Sequence, residues 1–238
     1  MCALDSQLKF IPEWYKQLVE NGNEKVRLAD FIKEKFLQER VDDLLEIGMG
    51  TRPIFSTILS DCVNKYVILE KENTPDILLP SNVKIINTDF EEKVFNGKFD
   101  LIILSHVVYY FLDLEKAIEK AIRLLKQNGK AIFVVNGTEN NYGKLKKAFA
   151  EIADITFTFT YDLLLKKLRN FLYEEYTLET HIDFDSSEEL YKQAKLFFSL
   201  FPEEYLQNRE KIINWLKENV KGQRFYMDQK IITVRGYL

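Results

Sequence analysis

The sequence predicts an α/β fold built on a doubly wound, mostly parallel sheet, and three observations carry that prediction. An apolar stretch, Asp43-Leu-Leu-Glu46-Ile, runs straight into Gly48-Met-Gly50 and from there into a helix. Strand-like runs and helical patterns then alternate, as in right-handed strand-helix-strand units. The run Phe99 to Ser105 is apolar almost throughout, which suits a parallel strand covered on both faces.

Residues 10 to 40 read as two helices, Trp14 to Glu20 and Lys25 to Gln38, broken at Asn21-Gly22-Asn23. Beyond the first strand and its glycine turn, Pro53 suits the first turn of a helix, where no amide donor is required. A second strand, Tyr66 to Glu70, closes on a carboxylate about 20 residues past the turn, the spacing at which an acidic side chain accepts hydrogen bonds from ribose hydroxyls. Val83 to Phe90 forms a third strand that ends in the polar pair Thr88-Asp89, and Phe99 to His106 forms a fourth. Leu114, Ala117, Ile118, Ala121, Ile122 and Leu125 recur at helical spacing up to Lys126, with Asn128-Gly129 as the stop. Lys130 to Val135 is a further buried strand. Helical patterns return around Tyr161 to Phe171, Ser187 to Phe201 and Pro202 to Val220, and Gln229 to Arg235 closes the sheet as an antiparallel edge. One domain is expected, with a helical cap over residues 1–40, a cofactor-binding core over 41–156 and substrate-side helices with the closing strand over 157–238.

In open sheets of this kind ligands bind at the carboxyl ends of the strands, and Gly48, Glu70, Asp89 and Ser105 all fall there. A nucleotide-type cofactor is the expectation. A nicotinamide-dependent dehydrogenase would carry a third glycine on the helix, where this chain has Arg52-Pro53.

Composition sets the outer bounds. With 238 residues, 46% of them hydrophobic, the chain can bury a sizeable core. Its 33 basic and 37 acidic side chains give a net charge of −4, which argues against the basic face of a nucleic-acid binder. No apolar run is long enough to span a membrane, and Met1 to Phe10 lacks the pattern of a signal peptide, so a cytoplasmic protein is expected, as monomer or dimer. Cys2 and Cys62 read as free thiols, and no Cys or His spacing suggests a metal. Glu174 to Glu189 holds seven carboxylates and no Lys or Arg, the mark of a solvated face or, beside a cleft, of a wall that favours cations.

The pattern Glu46-x-Gly48-x-Gly50 resembles the first motif of the class I S-adenosylmethionine-dependent methyltransferases, which have a Rossmann-like fold and a seven-stranded sheet. Ser105-His106-Val-Val-Tyr109-Tyr110, Phe133-Val-Val-Asn136 and the closing strand resemble, more narrowly, the histamine N-methyltransferase family, which methylates a small amine. The resemblance implies S-adenosylmethionine as cofactor, held by Glu46, Gly48, Gly50, Glu70, Thr88, Asp89, Phe90 and Ser105. It implies an acceptor site made by Glu24, His106, Tyr109 and Asp228, with Glu24 and Asp228 attracting a cationic amine and His106 accepting its proton. His106 stands where that family has a glutamine, and Asp228 or its neighbour Met227 stands in the region where it has an asparagine. Carboxyl or O-methylation by the same fold, or an inactive cofactor-binding partner protein, are the alternative readings.

Overall fold

Two helices, α1 (Pro12–Asn21) and α2 (Glu24–Phe36), lead into the first strand of a sheet whose seven members take the order β3-β2-β1-β4-β5-β7-β6. The strands are β1 (Val41–Ile47), β2 (Val63–Glu70), β3 (Val83–Asn87), β4 (Phe99–Ser105), β5 (Leu125–Asn136), β6 (Tyr173–Asp183) and β7 (Arg224–Arg235). The computed structural model describes residues 11–72 and 77–236; Cys2 therefore lies outside the described residues, and Cys62 is a free thiol. Strands β3, β2, β1, β4 and β5 run parallel, and β7 is antiparallel to both β5 and β6.

Both faces of the parallel part are covered, which is why its strands read as unbroken apolar runs. On β4, Leu101 and Ile103 point to one face while Ile102 and Leu104 point to the other. The first face packs against Leu28, Ala29 and Ile32 of α2 and Phe55 and Leu59 of α3 (Ile54–Leu59). The second packs against Ala117, Ile118, Ala121 and Ile122 of α4 (Leu114–Arg123) and Leu164 and Leu168 of α6 (Thr160–Leu168). A third apolar cluster joins α1, α5 (Asn140–Ala153), α7 (Ser187–Gln193), α8 (Pro202–Gln207) and α9 (Arg209–Asn219) to the adjoining ends of β6 and β7.

Four expectations are corrected. The closing strand β7 is antiparallel but interior, because β6 pairs along its whole length and becomes the edge. That strand occupies most of the acidic run. Its carboxylates stay hydrated or paired, Glu174 with Arg235 and Glu175 with Lys230, as suits an edge strand that must not recruit another sheet. Helix α4 stops at Arg123 rather than Lys126, and Asn128-Gly129 lies within β5, where Asn128 takes a positive φ of 66° and the pairing with β4 shifts register. Ser187 to Phe201 is α7 followed by a 3-10 turn at Ala194–Phe198, and Pro202 to Val220 divides at Asn208 into α8 and α9.

Candidate active site

Strand order reverses around β1, which has β2 on one side and β4 on the other. The loops leaving their carboxyl ends part there and open a cavity of about 640 Å³. Its first wall is the turn after β1. Gly48 and Gly50 sit at φ values of 73° and 71°, where a side chain is strained. The Gly48 amide donates to the Leu69 carbonyl at 2.8 Å, tying the turn to β2. Glu70, at the end of β2, is 8% exposed; its Oε2 accepts from the amides of Met49 at 3.0 Å and Gly50 at 3.2 Å, and its Oε1 accepts from Glu72 at 3.2 Å. Burial raises its pKa while these amides hold the rise back.

Thr88, Asp89 and Phe90 follow β3 along the same rim. Asp89 pairs with Lys71 at 2.8 Å and accepts the Glu91 amide at 2.8 Å; these contacts outweigh its partial burial and hold it below its ordinary range. Phe90 is buried beside Phe95 and Phe111. A cavity of this size, with a strand-end carboxylate and a glycine turn on its wall, fits a nucleoside-type cofactor.

On the other side of the cavity, His106 follows β4 in the left-handed region at φ 55°, its amide donating to the Val134 carbonyl at 3.0 Å. That conformation turns the ring across the chain toward Tyr109, whose hydroxyl lies 3.0 Å from Nδ1. Nε2 stands 3.2 Å from Glu24 Oε1, an ion-pair distance whose alignment is too poor for a formed hydrogen bond. Burial works to raise the Glu24 pKa, but the imidazole and Lys25 prevail and hold it low.

Glu24 reaches the cavity because the joint between α1 and α2 is pinned to β6. Asn23 donates its amide to the His181 carbonyl at 3.2 Å, accepts the His181 amide on Oδ1 at 2.9 Å, and sets Nδ2 3.1 Å from the His181 ring. Gly22 bridges Ile182. The acidic run thus acts on the site through its backbone and His181, and its carboxylates do not line the cavity.

Two further residues stand elsewhere than expected. Asp228 is 3% exposed and lies against Gly137 beneath the rim, so no acidic wall forms from it. Glu46 points to the α2 side of the sheet, where Oε2 accepts the Tyr66 hydroxyl at 2.7 Å, and it does not line the cavity. Gly48, Gly50, Glu70, Thr88, Asp89, Phe90, Ser105, His106, Tyr109 and Glu24 all do.

Burial pushes Glu46 up to about 7 from an ordinary 4.5, against the pull of Tyr66 and Lys25. The folded chain therefore keeps this proton after the unfolded chain has lost it, and stability falls as pH rises from 4.5 toward 7. Glu46→Gln, which cannot ionise, is expected to be more stable than the wild type by about 1 to 3 kcal/mol at pH 8 and near equal at pH 4, as read from urea midpoints.

Sequence reasoning missed Tyr15, Lys25, Tyr142 and Lys146. The Tyr15 ring lies over Gly50, where a Cβ would meet it at 2.4 Å. Lys25 is 6% exposed and donates to Ser105 Oγ at 3.2 Å. A signal for it existed: Lys25 stands three, four and seven residues before Leu28, Ala29 and Ile32, on the buried stripe of α2. Tyr142, Lys146 and Phe149 likewise share one face of α5.

Comparison with known proteins agrees with this architecture. A malonyl-[acyl-carrier protein] O-methyltransferase of Calditerrivibrio nitroreducens is 29% identical over 114 residues, 48% of this chain and 46% of that protein, so the chain spans just under half the relative's length. Among solved structures, the YcgJ protein of Bacillus subtilis matches with a TM-score of 0.57 at 15% identity, over 89% of this chain and 99% of that one. The N-methyltransferase NodS of Bradyrhizobium japonicum, solved with S-adenosyl-L-homocysteine, matches with a TM-score of 0.52 at 14% identity, over 99% and 97%. These likenesses establish the fold. Residues 21–197, well over half of the sequence, match the Methyltransferase domain family, and the chain belongs to that family, whose cofactor is S-adenosylmethionine.

Proposed function

We propose that this methyltransferase transfers its methyl group to the nitrogen of a small cationic amine. The observation that carries the reading is Glu24, a buried carboxylate held ionised at the cavity wall beside His106, with Tyr15, Tyr109, Tyr110 and Tyr142 lining the same space. A carboxylate among aromatic faces is a site for an organic cation.

When bound, S-adenosylmethionine supplies a methyl group already activated on a sulfonium, so the protein's work is to position the nucleophile and exclude water. Glu70 would hold the ribose hydroxyls, the backbone of Gly48 to Gly50 would allow close approach, and Thr88, Asp89 and Phe90 would line the base. The ammonium of the acceptor would enter between Glu24 and His106, replacing their poorly aligned contact. An amine attacks only as the free base. His106 Nε2 would take its proton, with Tyr109 steadying Nδ1 and Glu24 stabilising the imidazolium that results.

The test is incubation of the protein with S-adenosylmethionine and pooled amine, carboxylate and phenol metabolites, followed by mass spectrometry. An N-methylated product is expected. Methylation confined to oxygen would overturn the amine assignment, and no product from any pool would overturn the small-molecule reading.

A further inference from the structure

Beyond His106 the cavity is walled largely by rings, among them Tyr142, Phe157, Phe197 and Phe201. One basic side chain stands in that wall. Lys146 of α5 donates from Nζ to the Phe197 carbonyl at 2.8 Å, and the same atom lies 4.7 Å from the Phe157 ring centre and 5.0 Å from that of Phe198. No carboxylate among the described residues pairs with it, and burial alone pushes it down to about 8. An ammonium carries three donors, and one carbonyl with two ring faces leaves it capacity for an anionic ligand from the cavity.

We propose that Lys146 is an anion subsite of the acceptor pocket and that the acceptor carries a carboxylate in addition to its amine. The charge balance selects a carboxylate. Among the described residues lining the cavity, Lys71 and Lys146 are the only lysines or arginines; Lys71 is taken by Asp89, and His106 faces Glu24 at the amine end. One free positive charge between rings compensates a monoanion; a phosphate dianion would keep a second charge uncompensated against apolar walls. The rings on either side suit an aromatic or apolar spacer between the two ends of such an acceptor. Its amine end rests on the function proposed above, whereas the lysine's ligand can be tested without an amine.

The probes are 3-phenylpropanoate and 4-phenylbutanoate, each against its uncharged amide, titrated calorimetrically into the protein saturated with S-adenosylhomocysteine. At pH 7 each carboxylate is expected to bind about 10- to 100-fold more tightly than its amide, the worth of hydrogen bonds to a charged group. Lys146→Met should abolish that preference and Lys146→Arg should retain most of it, with S-adenosylhomocysteine binding as the check that each variant is folded. The wild-type preference should also fade as pH rises through about 8, where Lys146 loses its proton. The elements facing its ammonium, residues 157–160 and the turn at 194–198, offer rings and a carbonyl, and Lys195 on that turn lies over Trp14 instead. Equal binding of carboxylate and amide, no binding of either, or a preference that survives Lys146→Met would overturn the subsite. A carboxylate preference in a protein that methylates no amine would leave the subsite standing and remove the amine reading alone.

Discussion

His106→Ala is expected to slow methyl transfer to an amine by about 10²- to 10⁴-fold, the range for loss of a positioned general base, with little change in affinity for S-adenosylmethionine. The ring is fixed from both sides, by Tyr109 at Nδ1 and by Glu24 near Nε2, and it lines the cavity proposed to receive the acceptor. A backbone effect can be separated from loss of the base. His106 lies at φ 55°, a conformation that asparagine tolerates better than most residues. His106→Asn therefore preserves the loop while removing the imidazole. Stopped-flow or single-turnover rates should fall alike in both variants; recovery in the asparagine variant would assign the residue to loop shape. Glu24→Gln should raise KM for the cationic acceptor, since it removes the charge that faces the ammonium.

Glu70→Ala is expected to weaken S-adenosylmethionine binding by about 1.5 to 3 kcal/mol, roughly 10- to 150-fold, as calorimetry would read it. Two losses combine here. The carboxylate is the expected acceptor for the ribose hydroxyls, and it also fixes the turn through the Met49 and Gly50 amides. Glu70→Gln divides them, because an amide oxygen can still hold the turn while the charge is gone. Unchanged affinity in the alanine variant would remove the ribose assignment.

Parallel strands covered on both faces are legible because their composition has no alternation to blur: β1, β2 and β4 fall within three residues of expectation, whereas β5 begins at Leu125, five residues before the expected Lys130. The glycine turn and Glu70 were legible for a related reason: a strand end has few ways to present a carboxylate and a positive-φ turn to one ligand. β6 was not legible. Its Glu-Glu-Tyr-Thr-Leu-Glu-Thr-His sequence alternates only weakly and carries the charges of a solvated surface, so the strand exists through its eleven-residue pairing with β7 rather than through local preference. Asp228 was misplaced for the opposite reason. Sequence position fixes it near the rim, but whether it faces the cavity depends on the register of β7 against β5, where Gln229 aligns with Asn136. Lys25 and Lys146 look like surface lysines until the helix faces they share with apolar neighbours are counted.

A Cβ on Gly48 would come within 2.4 Å of Val107 Cγ1, on a backbone already at φ 73°. What forbids a side chain there is the chain leaving β4, before any ligand arrives. A side chain at this position would therefore strain the turn and displace Val107 whether or not a ligand is bound, whereas glutamine at position 70 could still accept the turn's amides. The glycine thus answers to the packing of the turn, whereas Glu70, the last residue of β2, is the position free to answer to a ligand.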